Sequence, residues 1–230
     1  MTAPAHERAT ELAILAETAM GCTACTLAAG RTHVVFGDGA ADADVMIVGE
    51  GPGRREDEQG LPFVGPSGKL LEQLLGEIGL TRPEVYIANV VKCRPPNNRD
   101  PRPEEIDACK GYLRTQLRLV DPMVVLTLGN FSSKLLARTE TGISRLRGTA
   151  YPWWGRFLVP TYHPAAALRG AGHVLEEMRH DFELVRRVLS GEIAHTEPAA
   201  PPGSVNGAGA STGGNAAEPA PEAEQMGLFG

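Results

Sequence analysis

The chain has 230 residues, 42% of them hydrophobic, which suits one globular domain with a sizeable core. No apolar run is long enough to span a bilayer, and the N-terminus lacks the pattern of a signal peptide, so a cytoplasmic protein is expected. Of the formal charge of −6, all but one unit sits in the tail: positions 191–230 hold five acids and no Lys or Arg, leaving 23 acids against 22 bases in the body.

In chain order, Glu7 to Met20 reads as a helix ended by Gly21, and Cys22-x-x-Cys25 follows at once. Arg31 to Gly39 reads as loop with a short extended piece, Val34 to Gly37. Asp44 to Val48 has the length and β-branching of a buried strand. It runs into the glycine-rich stretch Gly49-Glu50-Gly51-Pro52-Gly53, read as loop through to Gly65. Leu70, Leu71, Leu74, Leu75 and Ile78 then recur as one face of a helix. Val85 to Val91 is a second buried strand, opening into the proline- and asparagine-rich loop Lys92 to Asn98. Pro103 and two acids start a helix that carries Cys109. Met123 to Gly129 is a third strand, followed by a helix from Asn130 to Ala137 and a basic loop, Thr139 to Gly148. Phe157 to Pro160 is a fourth strand leading to His163-Pro164, and a last helix runs from Gly172 to Leu189.

Strands alternating with helices argue for a mostly parallel sheet covered on both faces. The loops of interest all follow strand carboxyl ends, so they gather on one edge, where ligands bind in such folds. From about residue 191 the composition turns to Ala, Pro, Gly, Ser and Glu, which predicts a disordered tail after a domain over residues 1–190. Lys92, Arg94, Arg99 and Arg102 form one basic cluster, and Arg138, Arg145, Arg147 and Arg156 another; either is a candidate basic face or an ordinary solvated surface. Four cysteines, at 22, 25, 93 and 109, suggest a metal or cluster site, with spacing that suits zinc as well as iron–sulfur.

Five motifs in this order resemble the family 4 uracil-DNA glycosylases, the iron–sulfur branch of the uracil-DNA glycosylase superfamily. They are Gly49 to Gly53, Gly60-x-Pro-Phe63-Val-Gly65, Asn89 to Pro96, Cys22-x-x-Cys25 with Cys109, and His163-Pro164. The resemblance spans roughly Cys22 to Leu189. It implies a three-layer α/β/α fold with a four-stranded parallel sheet, and removal of uracil from single- or double-stranded DNA by a monomeric, nucleoid-associated enzyme.

The same resemblance implies roles. Phe63 is the platform under the flipped base, though a plain core phenylalanine fits the composition. Asn89 reads the uracil edge, though Asn also ends strands as a turn former. His163 stabilises the departing uracil. Glu50 orients water or stabilises the sugar cation. Related glycosylases carry Asp where Gly51 stands, so Gly51 offers only backbone to the substrate and the chemistry leans on a dissociative transition state. The four cysteines are implied ligands of a [4Fe-4S] cluster that pins a loop bearing Arg94 and Arg99 towards DNA phosphates. Leu168 is a candidate wedge into the gap left by the base, with Arg169 on phosphate; a helical turn packed in the core is the other reading. At the C-terminus Gln225, Leu228 and Phe229 resemble a bacterial sliding-clamp-binding pentapeptide, or match one by chance. Two other functions stay open: a non-hydrolytic uracil-DNA binder, and an iron–sulfur electron carrier. No histidine lies between Gly53 and Gly65 to trap DNA covalently, and a carrier would not need Phe63, Asn89 and His163 on one edge.

Overall fold

The computed structural model describes residues 3–170 and 172–194. Gln225, Leu228 and Phe229 lie outside them, as does most of the expected tail. Helices are α1 (Ala5–Met20), α2 (Arg54–Gln59), α3 (Pro66–Glu77), α4 (Pro103–Val120), α5 (Asn130–Ala137), α6 (Ile143–Leu146), α7 (Pro164–Leu168) and α8 (Gly172–Leu189). Strands are β1 (Asp38–Gly39), β2 (Val45–Gly49), β3 (Tyr86–Asn89), β4 (Val124–Leu128), β5 (Tyr151–Trp153) and β6 (Arg156–Thr161). Among the described residues no helix is long and apolar enough to cross a membrane.

The strands form one sheet in the order β1-β3-β2-β4-β6-β5. The expected four-stranded parallel sheet is its centre, β3-β2-β4-β6. Each flank adds a short antiparallel strand that the sequence does not announce: β1 has two residues and β5 three. Segments this short carry no readable alternation.

Every residue of β2, β3 and β4 is buried, as expected of parallel strands covered on both faces. Alternate side chains feed two cores. Met46, Val48, Ala88, Val125 and Leu158 pack with Leu12, Leu113, Leu117 and Leu136, from α1, α4 and α5. Val45, Ile47, Ile87, Leu126 and Val159 pack with Leu71, Leu74, Met178, Phe182 and Val185, from α3 and α8. The result is the three-layer α/β/α arrangement. The chain leaves β2 for β3 on one side and later crosses to β4 on the other. The crevice between β2 and β4 is therefore the switch point of the sheet, at its carboxyl edge.

Candidate active site at the carboxyl edge of the sheet

Four parallel strands deliver four residues to this edge: Gly49 from β2, Asn89 from β3, Gly129 after β4 and His163 after β6. Gly49 and Asn89 are direct neighbours in the ladder. A Cβ on Gly49 would lie 2.4 Å from Asn89 Oδ1 and 2.9 Å from Phe63 Cζ. The missing side chain thus leaves room for the amide and the ring to meet. Asn89 is 2% exposed and Phe63 6%, and the Phe63 ring lies 5.8 Å from the His163 ring, tilted by 30°. An aromatic ring and a primary amide therefore meet over Gly49, with an imidazole beside the ring.

Phe63 holds φ 51°, a left-handed conformation costing a non-glycine residue about 1–2 kcal/mol. Three contacts hold it there. Glu56 Oε1 accepts from the amides of Val64 and Gly65, both at 3.0 Å. Arg82 donates to the carbonyls of Pro62, at 2.6 Å, and Phe63, at 3.2 Å. Gly68 of α3 packs so closely that a Cβ would sit 1.8 Å from Phe63 O. Glu56 belongs to α2, which lies inside the stretch read as loop. Its six residues are polar, so no apolar period marks it, and Gly60, in the left-handed region (φ 73°), ends it. Neither Glu56 nor Arg82 was singled out from sequence, because each acts on backbone atoms distant along the chain.

His163 caps α7: its Nδ1 accepts from the Ala165 amide at 3.2 Å. In the neutral ring the proton then sits on Nε2, leaving that N–H to donate. Burial and the neighbouring Arg169 charge lower its pKa to about 4, against a smaller opposing pull from Glu56, so the ring is neutral near pH 7. Gly129 (φ 91°) passes under it, where a Cβ would lie 3.1 Å from His163 Cβ. Behind this edge the buried Asp181 accepts from Thr161 Oγ1, Arg147 and the Gly148 amide, tying the end of β6 to α8.

Glu50 is partly buried, and its carboxyl is pushed up to about 7 by burial first and by Asp100 second. Gly51 is used as backbone: a Cβ there would meet Val91 Cγ2 at 2.9 Å. Leu168 is exposed at the end of α7, with Arg169 beside it, so it is not a core residue.

The basic clusters are corrected in part. Lys92 is fully buried, donating to Asn89 O and Gln116 Oε1, and so belongs to no surface. Arg99 forks onto the buried Glu105, at 2.6 and 2.8 Å, rather than presenting a free guanidinium to phosphate. Arg147 is engaged by Asp181, Arg156 by Asp121, and Arg138 lies over the Trp154 ring. Arg94 is partly exposed, its Nε donating to Asn98.

The four cysteines are free thiols that converge from the end of α1, the loop after β3, and α4. Charge on Cys22 or Cys25 opposes ionisation of Cys93, and charge on Cys93 or Cys25 opposes that of Cys109, so the four face a common region. Arg31 donates to Cys93 Sγ at 3.5 Å and to Cys22 O at 2.6 Å. Among the described residues no group of three or more His, Cys, Asp or Glu side chains stands close enough to hold a single metal ion. Four thiolates are the donor set that a four-iron cluster takes, one per iron. Four thiolates also suit a tetrahedral zinc.

An aromatic plate, a primary amide and a neutral imidazole at the switch point of an α/β sheet are the groups that could take up a flat heteroaromatic base. The model of the uracil DNA glycosylase superfamily matches residues 36–187. The chain is 44% identical over 183 residues to a type-4 uracil-DNA glycosylase of Sulfurisphaera tokodaii, covering 75% of this chain and 82% of that one. It is 43% identical over 182 residues to the type-4 enzyme of Thermotoga maritima, covering 78% and 95%. It is 44% identical over 174 residues to the type-4 enzyme of Archaeoglobus fulgidus, covering 72% and 87%. The chain belongs to the type-4 branch of the uracil-DNA glycosylase superfamily.

Proposed function

We propose that the chain takes uracil out of the DNA stack and hydrolyses its glycosidic bond, leaving an abasic site, with Phe63, Asn89 and His163 as the base pocket. The observation that carries this reading is that Asn89 and Phe63 meet over Gly49 while the Phe63 ring lies 5.8 Å from that of His163. Chemistry on a glycosidic bond needs the nucleotide turned out of the helix. Phe63 stacks under the extruded base. The Asn89 amide donates to O4 and accepts from N3–H, a pattern cytosine does not offer.

Breaking C1′–N1 leaves positive charge on the sugar and negative charge on the base. His163 Nε2–H donates to O2 as that charge develops, a contribution worth about 3 kcal/mol for a preorganised donor in a dry site. A neutral donor serves, since the proton is shared with the departing anion and not delivered first. Glu50, once ionised, faces the sugar side, where it orients water and stabilises the cation. The one lysine in the pocket motifs, Lys92, is buried with its Nζ donating to Asn89 O and Gln116 Oε1, so it offers no free amine for a Schiff base and the reaction ends at the abasic site. Leu168 fills the gap in the duplex, and Arg94 and Arg169 pair with phosphates.

Cys22, Cys25, Cys93 and Cys109 hold a [4Fe-4S] cluster in this reading. Bound there, the cluster supplies a covalent tie between the N-terminal segment, the loop after β3, and α4. Glu105 supports the same junction from protein atoms alone, accepting from Arg99, the Arg102 amide and Thr26 Oγ1. The C-terminal Gln225, Leu228 and Phe229 anchor the enzyme to a sliding clamp, raising its effective concentration near newly made DNA. Removing residues 225–230 should abolish clamp capture and leave excision from short oligonucleotides intact; retained capture would refute the anchor.

The decisive experiment is incubation with single- and double-stranded oligonucleotides holding one uracil, followed by alkaline cleavage. Strand scission at the uracil is expected. Its absence from both would defeat the enzyme reading, and retention of intact uracil-DNA would then favour a binder.

A further inference from the structure

Arg82 is the first residue of a single helical turn, Arg82–Glu84, between α3 and β3, fixed by a reciprocal Thr81–Glu84 cap. Its side chain is 20% exposed and touches neither Asn89 nor His163 in any contact that bears on the reaction. Both ends of its fork are used in the same way. Nη2 donates to Pro62 O at 2.6 Å and to Asp38 Oδ2 at 3.3 Å. Nη1 donates to Phe63 O at 3.2 Å and to Glu72 Oε1 at 3.4 Å. Two carboxylates on separate elements, β1 and α3, thus orient a guanidinium onto two successive carbonyls. Those carbonyls flank the one backbone bend that turns the Phe63 ring towards His163. A planar fork spans both; an ammonium, a single point charge, does not.

We propose that Arg82 is a positioning residue for excision: by holding the carbonyls of Pro62 and Phe63 it fixes the plane of the Phe63 ring against which the base stacks. This rests on the reading of Phe63 as the platform. Arg82 acts through Phe63 and does not touch the substrate. Loss of the fork lets the left-handed bend relax, and the ring leaves its plane while Asn89 and His163 stay where β3 and β6 put them. The defect therefore falls on recognition of the base and spares recognition of the DNA backbone.

The test combines Arg82→Ala, Arg82→Lys and Phe63→Ala, singly and with each Arg82 change placed on Phe63→Ala. Arg82→Ala should lower kcat/KM for uracil excision about 10-fold and weaken inhibition by free uracil by a similar factor, as a small displacement of a positioned group does. Affinity for a duplex holding a tetrahydrofuran abasic analogue should stay within about 2-fold. Arg82→Lys keeps one carbonyl contact and should restore part of the loss; it carries the same test if the alanine variant is insoluble. On the Phe63→Ala background either Arg82 change should cost less than about 2-fold, because the group it acts through is gone. Full additivity on that background, or abasic-duplex affinity falling in step with uracil inhibition, would overturn the role of Arg82 and leave the platform standing. No loss from Phe63→Ala alone would overturn both.

Discussion

Replacing Gly49 by alanine isolates the pocket from the fold. Gly49 lies inside β2, and its φ falls outside the left-handed range, so an alanine backbone fits without strain. The new methyl would sit 2.4 Å from Asn89 Oδ1 and 2.9 and 3.0 Å from two carbons of the Phe63 ring. A carbon and an oxygen in contact need roughly 3.4 Å, so the amide must withdraw by about 1 Å and the ring by a few tenths. A misplacement of about 1 Å in a positioned group costs on the order of 100-fold in rate, or about 2.7 kcal/mol of barrier. Stability should move little, since Gly→Ala gains about 0.4–1 kcal/mol through the unfolded chain, which offsets part of the crowding. Single-turnover excision from a uracil oligonucleotide reads the first quantity and urea unfolding the second. Turnover within about 3-fold of the parent, in a folded Gly49→Ala protein, would refute the placement of Asn89 and Phe63 as the two walls of the pocket.

The carboxyl of Glu50 stands near pH 7 through burial and Asp100, so its ionised fraction, and with it single-turnover rate, should rise through about pH 7. Because its folded pKa lies above the ordinary carboxyl value of 4.5, any stability it lends is complete below 4.5 and is lost as pH rises through about 7. Asp100→Asn should move the rate limb to lower pH and Glu50→Gln should remove it; an unmoved limb in both would exclude Glu50 as its source. His163 titrates near 4 and should add no second limb between pH 5 and 9. Leu168→Ala should slow excision from duplex about 10-fold and spare single strands, because only a duplex needs its gap filled; equal loss on both would place Leu168 elsewhere. Cys109→Ser should strip iron, sulfide and visible absorbance from the protein and lower its melting temperature, while one bound zinc and no sulfide in the parent would exclude the cluster.

The four central strands were legible because each is a short β-branched run bounded by Gly, Pro or Asn, and parallel strands bury both faces. The pocket was legible for the same reason: in an open α/β sheet, chemistry at strand carboxyl ends converges, so Gly49, Asn89 and His163 could be placed on one edge without knowing distances. Charge was the poorest guide. Lys92 reads as part of a basic cluster, yet it is buried under Asn89 and Gln116; Arg147 reads as a loop base, yet its partner Asp181 is 34 residues away. Ion pairs of that separation leave no local pattern. Glu56 and Arg82 were illegible on the same ground, since what they hold is backbone, and backbone carries no residue identity to match.

The four residues at the sheet edge are contributed by four different strands, spread from position 49 to position 163. With the pocket proposed above, a fragment of the chain, or an intermediate with one strand unplaced, lacks one of its walls. Catalysis is therefore a reporter of complete folding. A glycosylase whose pocket draws on all its strands at once cannot release a base while half made. For the same reason, residual activity after heating or in denaturant should count native molecules directly, tracking the loss of the whole sheet and not the fraying of one loop.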